Sequence, residues 1–230
     1  MCRRLTTAFA LTVFVVMTGC AGGSSVLLKN ATIPEPLIDR LPLKVGARYP
    51  DVFDNFVHEE QVIGKEKWSI DLGHSNRLLF TQLFSSMFSQ FVVIDDSSDP
   101  RDLGLDALIE PSIDAFEFSV PSQSQTDEFA VWIRYRIKIV DSSGSSIANW
   151  PIAAYGKSRS VTFGGDIALQ RAAELAMRDA AALIILQMNK TTIISNLSQA
   201  RPQGAMEGEP LTKETNLQST PVQQPLNDST

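Results

Sequence analysis

Three sets of side chains in this 230-residue chain could do chemistry or make specific contacts. They are the two cysteines, Cys2 and Cys20, the two histidines, His58 and His74, and a row of basic residues, Arg134, Arg136 and Lys138, that alternates with apolar ones. His58 is followed by Glu59 and Glu60, but residues adjacent in a helix or strand point apart and do not converge on one ion. Neither histidine has the His-Glu-x-x-His spacing of a metal site, and both read as surface histidines. No Gly-x-Ser-x-Gly elbow presents a nucleophilic serine. Gly164-Gly165 ahead of an apolar helical pattern could aim N–H groups at an anion, yet the lysine of a phosphate-binding loop is missing, and a plain turn explains the glycines equally. The catalytic inventory is nearly empty. The expectation is a protein that is not an enzyme and carries no cofactor and no metal.

The basic row is more informative. Val131, Ile133, Tyr135, Ile137 and Ile139 alternate with Trp132, Arg134, Arg136 and Lys138, the period of a strand buried on one face. Such a face can be solvated, with lysine and arginine stems covering the sheet. It can also be a contact stripe, because an exposed aromatic beside arginines is the composition of interface hot spots. Trp132, Arg134, Arg136 and Lys138 are therefore the candidate partner-contact residues.

Cys20 depends on its surroundings. Arg3 and Arg4 precede an uncharged run from Leu5 to Met17, and small residues lead to the cysteine. This is the three-part layout of a cleaved export signal. The run is shorter than the ~20 residues of a membrane-spanning helix, which favours cleavage over a permanent anchor. Met17-Thr18-Gly19-Cys20 resembles the bacterial lipobox, in which the signal is cut before the cysteine and the thiol receives a diacylglycerol through a thioether. A free buried cysteine is the alternative. The resemblance implies lipidation of Cys20 with palmitate-type chains, and Ala21, in place of the aspartate that retains lipoproteins in the inner membrane, implies sorting to the periplasmic face of the outer membrane. Cleavage would remove Cys2 with Arg3 and Arg4, making a chain of net charge −6 more acidic. An acidic surface disfavours nucleic acid, which selects basic patches. Without disulfides the domain must be held by its own core.

The elements that position these residues follow from the patterns. Residues 1–19 read as signal peptide, 20–41 as a lipidated tether, 42–195 as one domain and 196–230 as a disordered tail, Pro-rich and lacking the apolar residues needed for a core. "LPLKVGARYP" (41–50) predicts a strand. "HSNRLLFTQLFSSMFSQ" predicts a helix capped by Ser75, with Leu79, Leu83, Met87 and Gln90 on its apolar face beside Phe80, Phe84 and Phe88. "FVVID" is a short strand, and residues 106–121 read as a strand broken or bulged at Pro111. A hairpin turns at Asp141-Ser142-Ser143-Gly144 and returns through Trp150 and Tyr155. A last helix follows Gly165, and its inner stripe of Leu169, Ala173, Ala176, Ala180 and Leu183 predicts a helix backbone close to the sheet. The fold class is α+β: two helices on one face of a mainly antiparallel sheet of four to five strands.

With the lipobox, this order of elements resembles small outer-membrane lipoproteins of the transport-auxiliary type. These include the auxiliary lipoproteins of phospholipid transport, the lipopolysaccharide-assembly lipoprotein and, more distantly, the curli-secretion lipoprotein. The resemblance covers roughly residues 20 to 190 and implies a membrane-anchored, non-catalytic accessory of a cell-envelope transport system, with an envelope protein as partner. The rival is a lipid-binding module whose groove lies between the helix of Phe80, Phe84 and Phe88 and the sheet.

Overall fold

A computed structural model describes residues 23–28, 38–62, 67–159 and 164–188. The expected signal peptide, the lipidation site Cys20 and the tail at 196–230 lie outside the described residues.

The hairpin is the centre of the molecule. Strand β7 (Glu128–Asp141) and strand β8 (Ser146–Arg159) pair antiparallel, with Ile133 opposite Ala154 and Tyr135 opposite Ile152. The alternation of β7 is obeyed: Val131, Ile133, Tyr135, Ile137 and Ile139 are all at most 1 % exposed. The turn is held by one carboxylate. Asp141 Oδ1 accepts the backbone N–H groups of Ser143 and Ser145 at 2.8 and 2.9 Å, and Gly144 takes φ 88°, which favours glycine.

Strand β6 (Ala107–Ser119) lies on the other side of β7, and strands β2 (Leu41–Ala47) and β5 (Phe88–Val93) complete a five-stranded sheet in the order β5-β2-β6-β7-β8. This sheet is mixed, not mainly antiparallel, since β2 runs parallel to both β5 and β6. Parallel neighbours require a long crossover. Between β2 and β5 the chain passes through short helix α1 (Asp51–Asp54), strands β3 (Val57–Gln61) and β4 (Lys67–Asp71), and helix α2 (Gly73–Met87). A second sheet, β1-β4-β3, was not foreseen. Its strand β1 (Gly23–Leu27) lies inside the segment expected to be a tether and pairs in parallel with β4.

Helix α2 starts two residues before its expected cap. Ser75 is buried inside the helix, where its hydroxyl donates to the Leu28 carbonyl, and Asp71 Oδ1 instead accepts the Gly73 N–H at 3.1 Å. The helix stops at Met87 and becomes β5 without a loop, so Gln90 is an exposed strand residue, not part of the helical face. The bulge in β6 falls at Asp114, between Ile113 opposite Tyr135 and Ala115 opposite Arg134, and not at Pro111. Beyond Ile109, β6 pairs with no described strand on its β2 side, and a proline is tolerated on such an edge.

Helix α4 (Gly165–Met188), which follows the short helix α3 (Pro121–Ser124), covers the hairpin. A Cβ on Gly156 of β8 would stand 2.1 Å from the Ala172 carbonyl oxygen and 2.4 Å from the Ala176 nitrogen. The helix backbone thus rests directly on the sheet, as its alanines suggest. Ala172, Ala173, Ala176 and Ala180 are fully buried. Helix α2 packs on the same face, with the Tyr135 hydroxyl donating to Asn76 Oδ1 at 2.7 Å. The small sheet completes this inner layer through Trp68, whose ring centroid is 6.1 Å from Phe118 and 6.2 Å from Phe129. Two helices and a three-stranded sheet therefore share one face of the larger sheet.

Candidate interaction surface

The opposite face of the larger sheet carries the candidate contact residues. Register places them in rows across β6, β7 and β8. One row is Glu117, Trp132 and Tyr155, and the next is Ala115, Arg134 and Ala153. Trp132 is 44 % and Tyr155 42 % exposed, with ring centroids 5.1 Å apart and planes 41° from parallel. Two large rings left half in water are an anomaly on a sheet whose other face is sealed. The alanines on either side of Arg134 leave a dish of about 370 Å³ lined by Ala115, Glu117, Trp132, Arg134, Ala153 and Tyr155.

The three cations do not form one basic stripe. Arg136 Nε donates to Asp114 Oδ1 at 3.1 Å and Nη1 reaches Asn149 Oδ1 at 3.4 Å. Lys138 Nζ donates to Glu110 Oε2 at 2.9 Å, and the other oxygen of Glu110 accepts from Arg48 Nη1 at 3.1 Å. Burial pushes the Glu110 carboxyl up, but hydrogen bonds and charge from Lys138 and Arg48 outweigh it and hold the group below the usual carboxylate range. The hydrogen bond from Arg136 to Asp114 likewise raises the guanidinium further. Among the described residues, Arg134 and Glu117 have no ion-pair partner. The structure therefore keeps Trp132 and Arg134 together, neutralises Arg136 and Lys138, and adds Tyr155 and Glu117 to the set.

Tyr155 and Glu117 were missed for different reasons. Tyr155 joins Trp132 through the register of the hairpin, which a shift between Ile139 and Val140 moves one residue from the pairing at the turn. Glu117 reaches the outer face because the bulge at Asp114 reverses the parity of β6. Ile109 and Ile113 lie on the inner side before it, and Phe116 and Phe118 after it. The shift from odd to even apolar positions is visible in "LIEPSIDAFEFS" and is the signal that locates the bulge.

The remaining candidates are dispersed. His58 Nε2 lies 3.1 Å from Glu60 Oε2, and its ring packs 5.0 Å from Phe116, whereas His74 is exposed on α2. Among the described residues no three His, Cys, Asp or Glu gather as a metal would require. At the start of α4, Gly165 meets the Phe129 and Trp68 rings, and Asp166 occupies the first turn, so a carboxylate and two rings stand where an anion would bind. The space between α2 and the sheet holds the phenylalanines themselves. Phe80 sits 5.6 Å from Phe84 and 5.2 Å from Tyr135, and Phe80, Phe84 and Phe88 are at most 1 % exposed. The lipid groove expected there is filled by side chains. No helix among the described residues is long and apolar enough to cross a membrane.

No protein-family model matches the chain, and no curated protein matches it. Solved structures that resemble it include three bacterial lipoproteins. One from Caulobacter crescentus is 14 % identical over 56 % of this chain and 85 % of its own, with a TM-score of 0.39. A minor lipoprotein from Acinetobacter baumannii is 11 % identical over 69 % of this chain and 95 % of its own, with a TM-score of 0.37. A lipoprotein from Neisseria meningitidis is 13 % identical over 64 % and 98 %, with a TM-score of 0.30.

Proposed function

We propose that this chain is a lipid-anchored envelope protein that acts without catalysis, as an accessory or assembly component of a cell-envelope transport system, by holding a protein on the outer face of its larger sheet. The observation that carries the reading is the half-exposed Trp132–Tyr155 pair, two aromatic rings in contact beside Arg134, which has no ion-pair partner among the described residues. Trp, Tyr and Arg dominate binding energy at protein interfaces. The anchor rests on the lipobox at Met17-Thr18-Gly19-Cys20. One acyl chain binds a membrane marginally and two or more hold it, so acylation at Cys20 would fix the domain at the outer membrane with the sheet face free to meet a partner.

The test is complementation of a deletion strain. The Trp132→Ala/Tyr155→Ala double variant is expected to be processed, sorted and folded like the wild type and to leave the envelope defect uncorrected. Full complementation by that variant removes the contact reading. Cys20→Ser is expected to accumulate as an uncleaved, unacylated precursor, and a mature-sized, membrane-bound Cys20→Ser product removes the anchor reading.

A further inference from the structure

The outer face of β6–β8 carries five cations and four anions, and Lys157 and Arg159 at its far end both pair with Glu128. Arg134, Arg136 and Lys138 stand with Glu110, Asp114 and Glu117, and Arg136 and Lys138 are paired within the chain. Among the described residues, one cation, Arg134, and one anion, Glu117, are left over on adjacent strands and adjacent rows, around a pair of half-exposed rings. A face left with one charge of each sign is complementary to itself.

We propose that the occupant of this face is a second copy of the same chain, docked sheet to sheet about a two-fold axis. The proposal rests on the reading of the outer face as a contact surface and names its partner. Arg134 and Glu117 occupy one diagonal of a four-residue block, and Ala115 and Trp132 the other. A two-fold axis lying between the two sheets and running along the Ala115–Trp132 diagonal sets Arg134 against Glu117 of the second copy. By symmetry it sets Glu117 against the second Arg134, the reciprocal pairing that every isologous interface has. Trp132 then lies close to the axis, where rings of the two copies meet, and Ala115 leaves the sheets room to approach.

Three further observations favour this occupant. The chain as a whole is acidic, with net charge −6, and two copies would repel through most of their surfaces, whereas this face carries charges of both signs with no acidic excess. The dish is open, while sites for free small molecules enclose most of the ligand. The uncovered area is within a factor of two of a standard interface: at one end Ile94 and Leu105 cover Leu108 and Val140, and about ten residues in each of three strands, at ~4.8 Å between strands and ~3.3 Å per residue, present on the order of 480 Å² in projection, against the roughly 800 Å² per partner of a standard interface.

The test uses charge reversal on the full, lipidated chain, with two differently tagged copies co-expressed in a deletion strain and captured after detergent solubilisation. Wild type should capture wild type. Arg134→Glu should capture Arg134→Glu at least tenfold less, because two carboxylates now oppose each other twice. Glu117→Arg should fail with itself for the converse reason. Arg134→Glu should capture Glu117→Arg at close to the wild-type level, which also shows that both variants fold. Absence of wild-type self-capture, self-capture that survives either reversal, or a mixed pair no better than the single variants overturns the proposal. Should a variant fail to fold, a photo-crosslinking residue at position 155 in the otherwise unchanged chain decides. A product of twice the chain's mass supports the second copy. A product with a different protein overturns it and leaves the outer face standing as a contact surface.

Discussion

Phe116, Ile133 and Ala154 form one row across three strands, and Glu117, Trp132 and Tyr155 form the next row on the opposite side. The first row is 6 %, 1 % and 3 % exposed, while Trp132 and Tyr155 in the second are 44 % and 42 % exposed. Both rows hang on the same hydrogen-bond ladder, so backbone geometry does not distinguish them. The inner row is held by α2, α4 and the small sheet, and its composition is explained inside the chain. The outer row has two rings and a carboxylate that no other described residue covers or pairs. Residues that the fold does not need report on something the fold meets.

The comparison breaks most sharply at Gly156. Leucine there would drive its Cβ into the α4 backbone, where the nearest atoms belong to Ala172 and Ala176 and cannot swing aside. A loss of about 3 kcal/mol or more in urea unfolding is expected. A variant as stable as the wild type would mean that α4 does not lie on β8.

Tyr135→Phe sharpens it next. The change deletes the hydrogen bond to Asn76 Oδ1 inside the core, where Asn76 Nδ2 already lacks a partner. An acceptor stranded in the interior costs about 1–3 kcal/mol, measurable as a shifted denaturant midpoint. No shift would place the phenol in contact with water.

Alkaline pH tests the inner side without mutation. Burial pushes the Tyr135 hydroxyl far above its ordinary value and, outweighing a hydrogen bond from Thr81, raises Tyr49 to about 12. Both groups ionise more readily in the unfolded chain, so their contribution is complete below pH 10 and is lost as pH rises above it. Stability should fall by about 1.4 kcal/mol per pH unit for each tyrosine over that range. In Tyr135→Phe the decline should be shallower. An unchanged decline would assign the effect elsewhere.

The outer side should respond least. Replacing Arg134, Arg136 and Lys138 together by serine breaks two exposed ion pairs and no packed contact. In dilute solution the thermal midpoint should move by no more than about 3 °C. A fall of ten degrees would put these residues on a packed face and reverse the two sides.

The parts of this arrangement that rest on local periodicity are legible in the sequence. The alternation in β7, the Asp141 turn and the alanine stripe of α4 each lie within one segment, and each element has the expected character. What escapes are features set by pairing over long distances. The strand at Gly23–Leu27 is polar enough to read as a tether and becomes a strand only because β4 stands beside it. Ser75 has the chemistry of a cap, but its hydroxyl is taken by Leu28, 47 residues away. The basic stripe dissolves into pairs because register sets Glu110 opposite Lys138 and a bulge three residues beyond Pro111 brings Asp114 beside Arg136. The contact face was half legible, because Trp132 and Arg134 belong to one strand, whereas Tyr155 and Glu117 belong to its neighbours.

Gly156 also constrains how the hairpin can assemble. A slip of one residue in β8 turns every side chain to the other face and would present Tyr155 or Lys157 to α4. Helix and strand then could not close, since the space left at that position excludes even a methyl group. Docking of the last helix thus acts as a checkpoint for the pairing that precedes it, and a misregistered hairpin is left without its cover and free to reopen.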